Sequence, residues 1–212
     1  MKKQFYAWAI LCVCFIGFVA FVEQKNVLIM GDSISIGYTP MLQKALAPDI
    51  YVEHISGNGG NTGRGVQRAE QWLGGKQWDV IVFNFGLHDL ARIDSLKKYN
   101  VVDGKVEVTI DDYKKNLNTI VHKLKETTAT LIFATTTVVP ENAAGRKVED
   151  VALYNAAAIE VMKKNGIQIL DLYTPSLTIH PNNSKPGNVH YTEQGYQLLA
   201  EPIIKAIKDA LK

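Results

Sequence analysis

The chain has 212 residues, 47% hydrophobic and 21% charged, the balance of one globular domain with a sizeable core rather than a disordered segment. It carries 23 Lys+Arg against 21 Asp+Glu; with Lys2 and Lys3 set aside the two signs balance at 21 each, so nothing points to nucleic acid as a partner. Both cysteines, Cys12 and Cys14, lie in the first 25 residues, which excludes disulfides, thiol nucleophiles and cysteine metal sites from the remainder.

Those first residues stand apart. Lys2 and Lys3 precede an apolar run of 18 residues, Phe5 to Val22, closed by Glu23, Gln24 and Lys25. A basic start and an apolar stretch are the marks of an export signal, and the run is also just long enough to span a bilayer. Cleavage after Ala20 sets Phe18 at a position that favours a small residue, and Val13 before Cys14 argues against lipoprotein processing. The expectation is a signal peptide or an N-terminal membrane anchor over 1–25, with attachment through residues 5–22 in the second case. Either leaves a domain over 26–212 that is exported, periplasmic or secreted.

From residue 26 the pattern alternates. Asn26–Met30 is a short apolar run ended by Gly31. Met41–Ala47 has helical spacing, Ile50–Ile55 reads as a strand, and Gly65–Leu73 as a helix. Asp79–Phe85 is β-branched and aromatic, hence a strand. Residues 89–111 are less regular, with Asn100 and Gly104 as turn signals, and read as a loop or small insertion. Tyr113–Lys125 carries Leu117, Ile120, Val121 and Leu124 on one helical face. Thr130–Thr136 is a strand, Val148–Lys164 a helix with Gly166 as its C-cap, and Ile167–Leu170 a strand. Thr192 caps a last helix bearing Leu199, Ile203, Ile207 and Leu211, in which Pro202 is expected to bend the helix or shift its start. Five strands alternating with helices predict a parallel sheet covered on both faces, in one domain without repeats or linkers.

In open parallel sheets, chemistry gathers at the carboxyl ends of the strands. The segments that follow the strands, and the one before the last helix, are Gly31-Asp32-Ser33, Ser56–Asn61, Gly86–Asp89, Pro140–Asn142 and Gly187–His190. Ser33 needs an activating base, since a free hydroxyl is a weak nucleophile, and His190 can supply it. The bland alternative for Ser33 is a turn or cap serine, and for His190 a structural histidine.

GDSIS at 31–35, the glycine pair 59–60, GLHD at 86–89 and VHYTEQGY at 189–196 resemble, in order, the sequence blocks of the SGNH (GDSL-type) serine hydrolases. The resemblance spans residues 26–212. It implies a flavodoxin-like, three-layer α/β/α sandwich around a five-stranded parallel sheet, and serine esterase chemistry. Many bacterial members with a signal peptide deacetylate carbohydrates. The resemblance implies Ser33 as nucleophile and His190 as base, with the backbone N–H of Ser33, Gly60 (or Gly59, one residue earlier) and His88 around the oxyanion. Such donors must be in place before charge develops.

Two departures stand out. The third block has His88 where the family usually has asparagine; a neutral imidazole still offers one N–H. The aspartate three residues before the histidine is replaced by Gly187. A backbone carbonyl, the amide oxygen of Asn188, or a distant acid such as Asp171 is left to orient His190. Asp89 is expected to orient His88 or cap its turn, and Asp171 to act as a cap or loop tie. His54 is read as facing a helix, His122 as a surface or packing residue, and His180 as a loop residue near His190 and a weak candidate for substrate contact. No histidine pair has zinc spacing, so no metal and no cofactor are expected.

The expected activity is that of an exported esterase removing small acyl groups, acetyl first, from carbohydrate or related esters. The expected partner is thus a small-molecule or polysaccharide ester. The alternatives are a lysophospholipase or thioesterase of the same fold and a non-catalytic carbohydrate-binding relative.

Overall fold

The computed structural model describes residues 24–212; the leader assigned to 1–25 lies outside them but for its last two residues. Seven strands and six α-helices follow in chain order: β1 (Lys25–Met30), α1 (Ser33–Leu46), β2 (Ile50–His54), α2 (Thr62–Leu73), β3 (Val80–Phe83), β4 (Arg92–Ile93), β5 (Lys105–Val106), α3 (Ile110–Leu124), β6 (Thr130–Ala134), α4 (Asp150–Lys164), β7 (Gln168–Leu170), α5 (Tyr173–Ile179) and α6 (Glu193–Ala210). Five strands form one sheet in the order β2-β1-β3-β6-β7, every pair parallel.

The strand sequences explain the layering. Val27, Leu28, Ile29 and Met30 of β1, and Val80, Ile81, Val82 and Phe83 of β3, are all buried. A run without polar alternation must be covered on both faces. α1 packs on α6, while α2, α3 and α4 pack in succession, which completes a three-layer α/β fold. α3 and α6 present the apolar faces that their spacing predicts: Leu117, Ile120, Val121 and Leu124, and Leu199, Ile203 and Ile207, are buried.

The structure extends several sequence expectations. α1 begins at Ser33 and runs through Pro40, and α2 begins at Thr62. Their first turns are held by side-chain caps on Asp32 and Asn61 rather than by apolar periodicity. α6 starts after its Thr192 cap, as expected, and continues through Pro202. The irregular segment after residue 89 contains the antiparallel pair β4–β5. α5 is too short to show periodicity, and its sequence gives no signal of it.

The strand order reverses direction between β1 and β3, the neighbours that lead to Ser33 and His88. That crevice is where open α/β sheets place their ligands.

Candidate active site

The turn after β1 is built by its own sequence. The Asp32 side chain accepts from the backbone N–H of Ile34 at 2.9 Å, and its carbonyl accepts from Ile36 N–H at 3.1 Å. The aspartate of GDS is therefore the N-cap of α1, and Ser33 is the first helical residue. An amide in that first turn has no intrahelical acceptor and lies at the positive end of the helix dipole.

His190 arrives from the loop before α6. The loop is pinned at its base by Thr192 N–H on the Asn183 carbonyl at 2.6 Å and by a bridge between Ser184 and Tyr191. Its Nε2 lies 2.8 Å from Ser33 Oγ, across 157 residues of sequence. Ser33 is half-buried and His190 exposed, so solvent and substrate can reach the pair.

Asn188 decides the tautomer. Its Oδ1 accepts from the backbone N–H of His190 at 3.0 Å, and a backbone amide can only donate, so this atom is the oxygen. The same oxygen lies 2.8 Å from His190 Nδ1. The ring proton therefore sits on Nδ1, and the Nε2 lone pair faces the serine hydroxyl. Of the three orienting groups left open by the sequence, the Asn188 amide oxygen is the one in contact. Asp171 is engaged elsewhere, its Oδ1 accepting from Tyr173 N–H at 2.9 Å and Thr174 N–H at 3.1 Å as the cap of α5. Gly187 has φ of +67°, a left-handed conformation that an aspartate there would enter only with strain.

The loop is supported from behind by a residue whose role the sequence did not disclose. His180 is buried, and its Nε2 donates to the Asn188 carbonyl at 2.7 Å. It does not line the cavity shared by Ser33 and His190. Its place in a Pro/Asn-rich stretch hid its burial against Tyr191.

The glycine turn after β2 approaches the serine turn closely. Gly59 N–H donates to the Gly31 carbonyl at 2.8 Å, and a Cβ on Gly59 would stand 2.7 Å from that oxygen. Gly59 is thus a tie between the two turns. The Gly60 N–H donates to Asn58 Oδ1 at 2.8 Å, a contact that a substrate oxygen would have to displace.

His88 follows β3, half-buried, and with Ser33 and His190 lines a cavity of about 430 Å³. Burial pushes its pKa down from the ordinary imidazole value. Asp32 opposes that shift; Arg146 and His190 reinforce it. The ring is neutral near pH 7 and offers one N–H to the cavity. Asp89 turns away from the cavity: its Oδ1 accepts from Thr62 N–H at 2.8 Å and from Thr62 Oγ1 at 2.5 Å, at the start of α2. It caps the distant start of α2 rather than orienting His88 or capping its own turn, the two roles read from the sequence.

His54 meets α1, its Nε2 2.7 Å from Ser35 Oγ, and His122 is exposed on α3. Among the described residues, no group of three or more His, Cys, Asp or Glu side chains is placed to hold a metal ion. Arg146, which the sequence did not single out, is buried and lines the same cavity as the serine.

Solved structures with this fold include the lipase/acylhydrolase from Enterococcus faecalis, 20% identical with a TM-score of 0.71 over 88% of this chain and 96% of that one. The acetyl xylan esterase AlAXEase is 18% identical, TM-score 0.69, over 86% and 99%. The acetylxylan esterase from Geobacillus stearothermophilus is 16% identical, TM-score 0.67, over 86% and 94%. No curated protein matches the sequence. The model of the GDSL-like Lipase/Acylhydrolase family matches residues 29–198, from within β1 to within α6. With that match over most of its length, the chain belongs to the GDSL-like lipase/acylhydrolase family and is a carboxylic ester hydrolase.

Proposed function

We propose that the protein removes small acyl groups, acetyl above all, from carbohydrate esters outside the cytoplasm. The observation that carries the reading is the 2.8 Å contact between Ser33 Oγ and His190 Nε2, with the ring proton held on Nδ1 by Asn188.

In this reading Ser33 Oγ attacks the ester carbonyl carbon and its proton passes to His190 Nε2. The oxyanion is received by Ser33 N–H, by the neutral His88 ring and by Gly60 N–H once it leaves Asn58. His190 then protonates the departing alkoxide, leaving an acyl group on Ser33. Water attacks that acyl group, gives its proton to His190, and the serine is regenerated with release of the acid. Asn188 steadies the imidazolium as an uncharged dipole, a weaker partner than a carboxylate. Export rests on the basic and apolar leader alone, and carbohydrate on the likeness in fold to acetylxylan esterases.

A second reading, a lysophospholipase or thioesterase, is favoured by the insertion beside the cavity, where Leu96 and Val102 are strongly exposed. An acyl-chain series from C2 to C12 on p-nitrophenyl esters separates the two. Activity concentrated at C2 and C4 supports deacetylation; activity rising toward C12 overturns it in favour of lipid. Fractionation of the full-length protein tests export, which cytoplasmic retention would rule out.

A further inference from the structure

Arg146 stands between two cavities. It lines the one that holds Ser33, His88 and His190, and also a neighbouring groove of about 740 Å³ formed by residues of the insertion and of 141–149. The residue is 8% exposed. Nε donates to the Leu87 carbonyl at 2.9 Å, and Nη1 donates to the Ala144 carbonyl at 3.0 Å. The guanidinium lies over the Tyr99 ring, 5.0 Å from its centroid. The group is therefore fixed on three sides.

Its charge is not answered. The six ion pairs among the described residues do not include Arg146; the half-buried arginine of this region, Arg92, is paired with Asp150 at 2.8 Å. Nη2 of Arg146 has no protein acceptor, yet it is not among the buried polar atoms that lack a partner. It is therefore accessible rather than buried, on a side chain that borders both the serine cavity and the neighbouring groove. A guanidinium needs an anion or several carbonyls to offset its burial, and two of its three nitrogens are already used by carbonyls. Fixed, desolvated and with one nitrogen free, it is arranged to bind an oxyanion at little further ordering cost.

We propose that Arg146 recognises a small oxyanion on the alcohol portion of the substrate, so that acidic esters are preferred over neutral ones. The inference rests on the reading of Ser33 and His190 as the reacting pair, which makes the shared cavity the ester site. The anion is a carboxylate on a sugar or a phosphate on a glycerol lipid. Tyr99, half-exposed beside the guanidinium, offers part of its ring to the same ligand.

The test is competitive inhibition of p-nitrophenyl acetate hydrolysis by the full chain. Glucuronate is compared with glucose, and glycerol 3-phosphate with glycerol. The expectation is that at least one anion inhibits about tenfold or more better than its neutral counterpart, that salt weakens the effect, and that Arg146→Gln removes the difference while Arg146→Lys keeps part of it. Glucuronate ranking above glycerol phosphate assigns an acidic sugar; the reverse assigns a phospholipid. Equal inhibition by charged and neutral members in the unmutated protein overturns the proposal without any variant. So does a preference that survives Arg146→Gln. For a purely structural arginine, holding the Leu87 turn, Arg146→Gln would lower p-nitrophenyl acetate hydrolysis and leave the ratio of charged to neutral inhibition unchanged. If Ser33→Ala turned over at the unmutated rate, the catalytic reading would fail instead, and calorimetry of glucuronate binding to that variant would still report on Arg146.

Discussion

Helix α1 carries two serines, two residues apart, and each touches a histidine. Ser33 Oγ is 2.8 Å from His190 Nε2, and Ser35 Oγ is 2.7 Å from His54 Nε2. By distance the second pair is the better one. Ser35, however, is 1% exposed, and its single hydroxyl hydrogen also faces the Asp32 carbonyl at 2.7 Å. His54 Nδ1 lies against the Ile55 carbonyl at 2.7 Å, so the ring ties β2 to the α1 turn. Burial pushes the His54 pKa down, against the opposing Ile55 contact and Asp32 charge. The comparison teaches that contact alone does not make a nucleophile. A reacting serine needs a free path to substrate and donors for the oxyanion. The inner pair has neither and secures the helix start on which the outer pair stands.

The widest separation between the two pairs is in rate. Ser33→Ala is expected to lower hydrolysis of p-nitrophenyl acetate by about 10³-fold or more without loss of fold, measured by initial rates alongside circular dichroism. Retention of more than about a tenth of the activity would place the reacting hydroxyl elsewhere. Next in size is the orienting amide. Asn188→Ala removes the acceptor of the His190 ring proton, and kcat is expected to fall about 10–100-fold with KM little changed. A change confined to KM would mean that Asn188 touches substrate instead.

The inner pair is read through stability. Ser35→Ala leaves His54 Nε2 without its partner, and the domain is expected to lose about 1–3 kcal/mol in urea denaturation, with kcat within about threefold of the unmutated value. A loss of rate as large as that of Ser33→Ala would erase the distinction between the two pairs.

A further effect, on stability alone and only at the alkaline end, sits at Asp89, beside His88. Asp89 caps α2 with one oxygen while Oδ2 has no partner, and burial raises its pKa from 3.8 to about 7. A carboxyl whose folded pKa is raised contributes stability below its unfolded pKa and loses it as pH climbs through about 7. Asp89→Asn keeps the acceptor for Thr62 and removes the titration. The variant is expected to be the more stable form at pH 8, by on the order of 3 kcal/mol, with the gap closing toward pH 4. Parallel melting curves for the two proteins across that range would show the carboxyl to be ionised without cost.

The sheet was legible in the sequence because its strands are fully apolar runs with turn residues at both ends, and α3 and α6 because each buries one stripe. The helix starts at Ser33 and Thr62 were less so, since they depend on caps rather than on periodicity. At the site, Ser33 and His190 could be paired from their places at strand and helix ends. Asn188 was legible as a candidate orienter from its place beside His190, but the choice between its amide oxygen and a backbone carbonyl, and the His180 support, depend on how the loop closes on itself. Arg146 and Tyr99 were invisible for the same reason. They lie in irregular segments brought together by a contact between the insertion and the stretch after β6, which no local pattern encodes.

The central claim is that the hydroxyl of α1 which reacts is the outer one. A fluorophosphonate, which labels activated serines covalently, followed by peptide mapping tests it most directly. The account predicts a single adduct on Ser33, abolished by His190→Ala and untouched by His54→Gln. An adduct on Ser35 or on any other serine, or labelling of Ser33 that persists without His190, would contradict it.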